Sequence, residues 1–149
     1  DATDHITEDG ADDANLKVLQ PGAILIVVRG MILAHTVPLA INLAPLTINQ
    51  DMRAFVPHDG IEAEYLCWAL RMQHGRLLSL VTNAAHGTKR FESRDLFALS
   101  VPLPPKPQQK RFAALVESTR LARQRWEAGS DNAEDFFNSL VQRAFRGEL

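Results

Sequence analysis

The chain has 149 residues, 46% hydrophobic and 23% charged, with a formal net charge of −2. That balance suits a folded chain and excludes wholesale disorder and collagen-like or low-complexity architecture. No apolar run reaches the roughly 18 residues of a membrane span, no basic-then-apolar leader opens the chain, and one cysteine, Cys67, forbids an internal disulfide.

In chain order, Asp1 to Asn15 is acidic and aperiodic and reads as a loop. Because the first residue is Asp1 and not Met, a fragment or processed product is expected. Pro21-Gly22 is a turn signal, and Ala23 to Val28 is a short β-branched run that predicts a strand ended by Arg29-Gly30. Leu39–Leu43 and Leu46–Val56 are further strand candidates, broken by Pro38, Pro45 and Pro57. From Glu62 to Val81, apolar residues recur at helical spacing, with Gly75 as a point of bending. Cys67 falls on the apolar face of that helix, which points to a core role. Thr82 to Phe91 is polar loop chemistry, Ser93 caps a short turn through Phe97, and Leu99 to Leu103 is a short strand ended by prolines.

After Pro107 the seam Phe112, Leu115, Thr119, Ala122, Trp126, Gly129, Ala133, Phe136 and Leu140 holds a seven-residue repeat with no charge in it. Such a seam predicts a coiled-coil-type helix that needs a partner helix. Gly129-Ser130-Asp131 would ordinarily stop it, yet the phase runs through, so a kinked single helix and a helix pair both remain open. The fold class is therefore α+β: a small mixed domain over 1–105 and a helical region over 106–149.

The charge is unevenly placed. The first sixteen residues carry six carboxylates and no cation, whereas Arg71 to Arg125 carries eleven cations against three carboxylates. A local positive stretch of this kind can attract a polyphosphate although the whole chain is nearly neutral. Catalytic signatures are missing: there is no phosphate loop, no GxGxxG, no HExxH and no CxxC, and the five histidines lack metal spacing. Asn42-Leu43-Ala44-Pro45 only superficially resembles the motif of amino methyltransferases, because it lacks the stacking aromatic. A non-enzymatic role without metal or cofactor is expected.

Several segments together resemble the specificity subunits of type I restriction–modification systems. Leu19 to Ile26 matches that family's "pGDILI" strand entry, followed in order by Ile48-Asn49-Gln50, Tyr65-Leu66 and His86-Gly87-Thr88. Val101 to Pro105 with Gln109 fits "PPLxEQ", and Ser139 to Leu149 is similar to the "lfxkAFrGEL" terminus. Ala23 stands where the family has Asp, and Gln108 where it has Glu. The resemblance implies part of a target-recognition domain, lacking an upstream portion, plus a spacer helix. It also implies double-stranded DNA, methyltransferase subunits and restriction (motor and nuclease) subunits as partners. A second recognition domain or a second copy of the chain would pair through the helix, and two copies would read a palindromic bipartite site. S-adenosylmethionine, ATP and Mg are expected only in the partner subunits, and the setting is expected to be cytoplasmic.

Phosphate contact calls for Lys or Arg on loops and helix ends, and base readout calls for Arg, Lys, Asn or Gln. The first candidates for DNA contact are His86, Thr88, Lys89 and Arg90, with a solvated turn as the plainer reading. Arg29 and His35 bracket the loop leaving the first strand and are readout candidates or ordinary surface residues. Arg71 and Arg76 are backbone clamps or the polar face of their helix, and Asn49 and Gln50 suit structural hydrogen bonding. Phe112, Leu115, Thr119, Ala122, Trp126, Ala133, Phe136 and Leu140 are the candidate helix interface. A coiled-coil interaction or dimerisation protein without a DNA role is the alternative, and an enzyme of unknown type, such as a recognition module once fused to a methyltransferase, is a third.

Overall fold

The computed structural model describes residues 5–84 and 87–148. Two compact units emerge, Asp1–Gln109 and Lys110–Leu149. The architecture is α+β, with two small antiparallel sheets and short helices in the first unit and one long helix running into the second.

The first unit is organised around strand β1 (Ile24–Val27), which lies between β2 (Leu39–Ile41) and β3 (Met52–Phe55), both antiparallel to it. Ile24 pairs with Ile41 on one side and with Phe55 on the other. The continuous apolar run of β1 follows from burial on both faces. Ile24 and Ile26 pack toward the helices with Cys67, Leu70 and Leu77, while Ala23 and Leu25 pack with Leu19, Leu46, Met52 and Ala54. Alternation of side chains along a strand makes this division unavoidable.

Helices α2 (Ala63–Met72) and α3 (His74–Ser79) cover one face of the sheet. The single helix expected over Glu62–Val81 is thus two, and the break falls at Gln73, not at Gly75. The Gln73 amide bonds the Leu70 carbonyl, and its side-chain Nε2 donates to Ser100 O at 3.1 Å. Cys67 is buried, and burial pushes its thiol above the usual range, so it serves as a core residue.

Five other expectations are corrected. The acidic stretch is not wholly loop: Glu8–Asp13 forms α1, started by Thr7 Oγ1 accepting from the Gly10 amide and favoured by Glu8 and Asp9 at the positive helix end. Thr82 to Phe91 is a hairpin, β4 (Val81–Asn83) with β5 (Lys89–Phe91), followed by α4 (Ser93–Phe97). The N-cap of α4 is Glu92, without a side-chain capping bond, so Ser93 does not cap it. Leu99–Leu103 pairs with no strand among the described residues. Its prolines remove ladder donors, and side chains fix it instead, Tyr65 Oη donating to Pro102 O at 2.7 Å. The strand expected over Leu46–Val56 is confined to Met52–Phe55, with Leu46 making only an isolated bridge to Leu19.

Helix α5 spans Lys106–Phe145, 40 residues that reach about 60 Å at 1.5 Å per residue. It is continuous through Gly129, which settles the open choice in favour of one helix. Gln109 is its one buried residue among those described.

Candidate nucleic-acid interface

The hairpin is joined to the first sheet at one point. Phe91 is anchored in the core, and its amide donates to Val28 O at 2.9 Å; the Gly30 amide donates to Lys89 O at 3.0 Å. Arg29 and Arg90 are thereby cross-strand partners, with Thr82 opposite Arg90 on the other side. Chain folding has thus paired two arginines from distant segments across a backbone bridge.

Like charges at paired positions are unfavourable in isolation. Each arginine here has a nearby acid: Arg29 Nε lies 3.8 Å from Asp51 Oδ1, and Arg90 Nη2 lies 2.6 Å from Glu92 Oε1. All four side chains are about half exposed, so water screens these pairs and they contribute little to stability. Such ion pairs can be exchanged for a polyanion at small cost. Lys89 Nζ donates to Asn83 Oδ1 at 2.6 Å, and the ammonium keeps further donors for an incoming oxygen.

Glycine is required where this surface turns. Gly30 has φ 137° and ψ 160°, a conformation almost closed to other residues, and it opens the short 3-10 turn Met31–Ala34 beside β5. Gly87 has φ 78° at the hairpin connection, where the Ala84 amide donates to Thr88 O. Thr88 is half-buried; His86 lies outside the described residues.

The remaining candidates are placed elsewhere or committed to other work. Arg71 Nη2 donates to Leu39 O at 2.9 Å, and its guanidinium stands 5.2 Å from the Trp68 ring centroid, tying α2 to β2. Arg76 is exposed on α3, with a 3.5 Å contact to Gln73 Oε1. His35 follows the 3-10 turn and is exposed. Asn49 Oδ1 accepts from the Asp51 amide, a turn role that agrees with the structural reading of that residue.

Sequence reasoning passed over Asp51 and Glu92 as counter-ions and Asn83 as the partner of Lys89. Glu92 is a local neighbour of Arg90, two residues on, whereas only the fold brings Asp51 to Arg29 and Asn83 to Lys89. Two amides that brace the domain also stand out. Asn42 Oδ1 accepts from the Ala23 amide at 2.7 Å, and its Nδ2 donates to Gln20 O at 3.0 Å and Ala44 O at 2.9 Å. Gln109 Oε1 accepts from the Glu62 amide at 3.0 Å, and its Nε2 donates to Pro104 O at 2.7 Å and Gly60 O at 3.1 Å.

In the second unit the seam is open to solvent: Trp126 is 78% and Phe136 66% exposed, and Leu115, Thr119, Ala122 and Ala133 are exposed with them. Leu140 is half-buried and Phe112 lies near the limit of exposure. Among the described residues no group of His, Cys, Asp or Glu could hold a metal ion, and no helix is long and apolar enough to cross a membrane.

A small antiparallel domain with a rim of exchangeable cations, continued by a long helix with an open apolar seam, has the form of a recognition module. Residues 2–120 match the model of the type I restriction modification DNA specificity domain, and the chain belongs to that family. It is similar to the "Type I restriction enzyme EcoR124I/EcoR124II specificity subunit" of Escherichia coli, with 29% identity over 114 residues, 76% of this chain and 28% of that protein. It is also similar to the MjaIX specificity subunit of Methanocaldococcus jannaschii, with 28% identity over 115 residues, 75% of this chain and 25% of the relative. The chain thus spans about a quarter of the length of these curated relatives.

Proposed function

We propose that this chain reads part of a DNA target for a type I restriction–modification complex. The observation that carries the reading is the Arg29–Arg90 bridge, which pairs two half-exposed, weakly committed arginines, with Lys89 preceding Arg90 in the same strand. Duplex phosphates would displace Asp51 and Glu92, giving sequence-independent affinity and orienting the domain. Thr88, His35 and Arg76 are further candidates for contact, as is His86 on sequence grounds, while Arg71 acts by tying α2 to β2. The chain supplies recognition and no bond-making chemistry; methyl transfer and cleavage, with S-adenosylmethionine, ATP and Mg, belong to partner subunits in the cytoplasm.

The test is the salt dependence of duplex binding by the chain assembled with methyltransferase subunits. Arg29→Ala with Arg90→Ala should weaken binding by roughly tenfold per cation at low salt and flatten the log–log salt slope by about two. Glu92→Gln, which removes the competitor of Arg90, should strengthen binding. Unchanged affinity and slope in the double variant would remove this ridge from the DNA face.

The open seam of α5 supports a second task, docking a partner helix from another recognition domain or a second copy, and with it the methyltransferase subunits. Trp126→Asp should abolish assembly, as followed by light scattering, while leaving the melting of the first unit unchanged. Normal assembly would take Trp126 out of the interface.

A further inference from the structure

The turn that leaves β1 exposes apolar side chains next to the cationic ridge. Met31 is 62% exposed and Ile32 47%, whereas Leu33, the next residue, is 1% exposed and packed with Phe91 and Leu96. The turn is held at both ends: the Gly30 amide donates to Lys89 O, and the Leu33 amide donates to Gly30 O at 3.2 Å. Burial of Leu33 and the glycine-only geometry of Gly30 therefore fix where Met31 and Ile32 sit, two and three residues beyond Arg29 and beside β5. Isolated exposed apolar residues are ordinary. Two in succession, on a rigid turn bounded by Arg29, Lys89 and Arg90, have a surface that suits an anionic partner carrying apolar groups.

We infer that Met31 and Ile32 read thymine through its 5-methyl group in the major groove. Thymine is the one standard base that presents a methyl there, and apolar side chains are the groups that recognise it. The ridge supplies the complementary charge that brings the groove to the turn, so this inference rests on the DNA-reading function proposed above. Arginines on phosphate would give register without sequence information; the turn adds specificity that cations alone do not supply.

The experiment selects duplexes from a random-sequence library with the chain assembled with methyltransferase subunits. It is run once with thymine and once with uracil in place of thymine, which removes only the methyl. Expected is a motif with one or two thymine positions whose preference falls about fourfold in the uracil library, the value of one buried methyl group. Met31→Ser with Ile32→Ser should lose the same preference in the thymine library and show no further loss with uracil. Met31→Leu with Ile32→Val should retain it. A motif without thymine, thymine positions unaffected by uracil, or a serine variant with the unaltered motif would overturn the inference. Loss of the motif in the serine variant together with insensitivity to uracil would assign the turn to wedging between base steps instead, and equally overturn it. Selection of no motif, with weak binding that ignores the Arg29 and Arg90 substitutions, would mean that the DNA-reading function itself has failed.

Discussion

Gln109→Glu is expected to destabilise the first unit by about 2–4 kcal/mol at neutral pH, although it changes one atom of a side chain. Gln109 is 1% exposed, and all three of its protein bonds go to backbone groups: it accepts from Glu62 N and donates to Gly60 O and Pro104 O. A glutamate keeps the acceptor but turns the donor into a second anionic oxygen facing two carbonyls. The buried carboxyl would hold its proton more tightly when folded than when unfolded, so the stability of this variant should rise as pH falls, opposite to a paired carboxylate. Gln109→Leu should cost a similar amount at every pH, because it strands one N–H and two carbonyls. Urea unfolding at several pH values distinguishes the two, and amide exchange at Glu62 adds a local check. That amide stays protected in Gln109→Glu and becomes exposed in Gln109→Leu. Stability within about 0.5 kcal/mol of the parent in both variants would mean these bonds contribute nothing net.

Asn42→Asp is expected to cost about 2–4 kcal/mol by the same chemistry at a second buried amide. Asn42 is 5% exposed and braces the segment that leads into β1, through Ala23 N, Gln20 O and Ala44 O. Aspartate would retain the bond from Ala23 N and oppose the Leu19, Gln20 and Ala44 carbonyls with charge. Since Ala23 and Leu19 belong to the core on one face of β1, loosening this brace should lower the melting temperature and the protection of the β1 amides together. DNA affinity measured well below the transition should be unchanged, which separates Asn42 from Arg29 and Arg90. A binding defect in a fully folded Asn42→Asp chain would place this amide at the interface and contradict its bracing role.

Much of the framework was legible in the residues. The run Ala23–Val28 announced a strand, and the seam from Phe112 to Leu140 announced the long helix, because each pattern spans its own element. The fold class and the family followed from such local patterns in order. The hairpin was misread because β4 and β5 are three residues each, too short to display alternation, and Lys89-Arg90 looked like loop polarity. The helix expected over Glu62–Val81 hid its break because Gln73 bends the chain through a bond to Ser100, a residue far along the sequence. The short α1 in the acidic leader depends on a single hydroxyl cap.

By itself, the sequence determined the class of fold, the core role of Cys67 and membership of the specificity family. Tertiary structure alone decided which cations stand together. Arg29 meets Arg90 because the Phe91 amide bonds Val28 O, and Arg29 then finds its acid, Asp51, across the chain while Arg90 pairs locally with Glu92. Periodicity records the environment along one element, whereas a recognition surface is assembled from the ends of several, and their adjacency is set by long-range hydrogen bonding that no local pattern encodes.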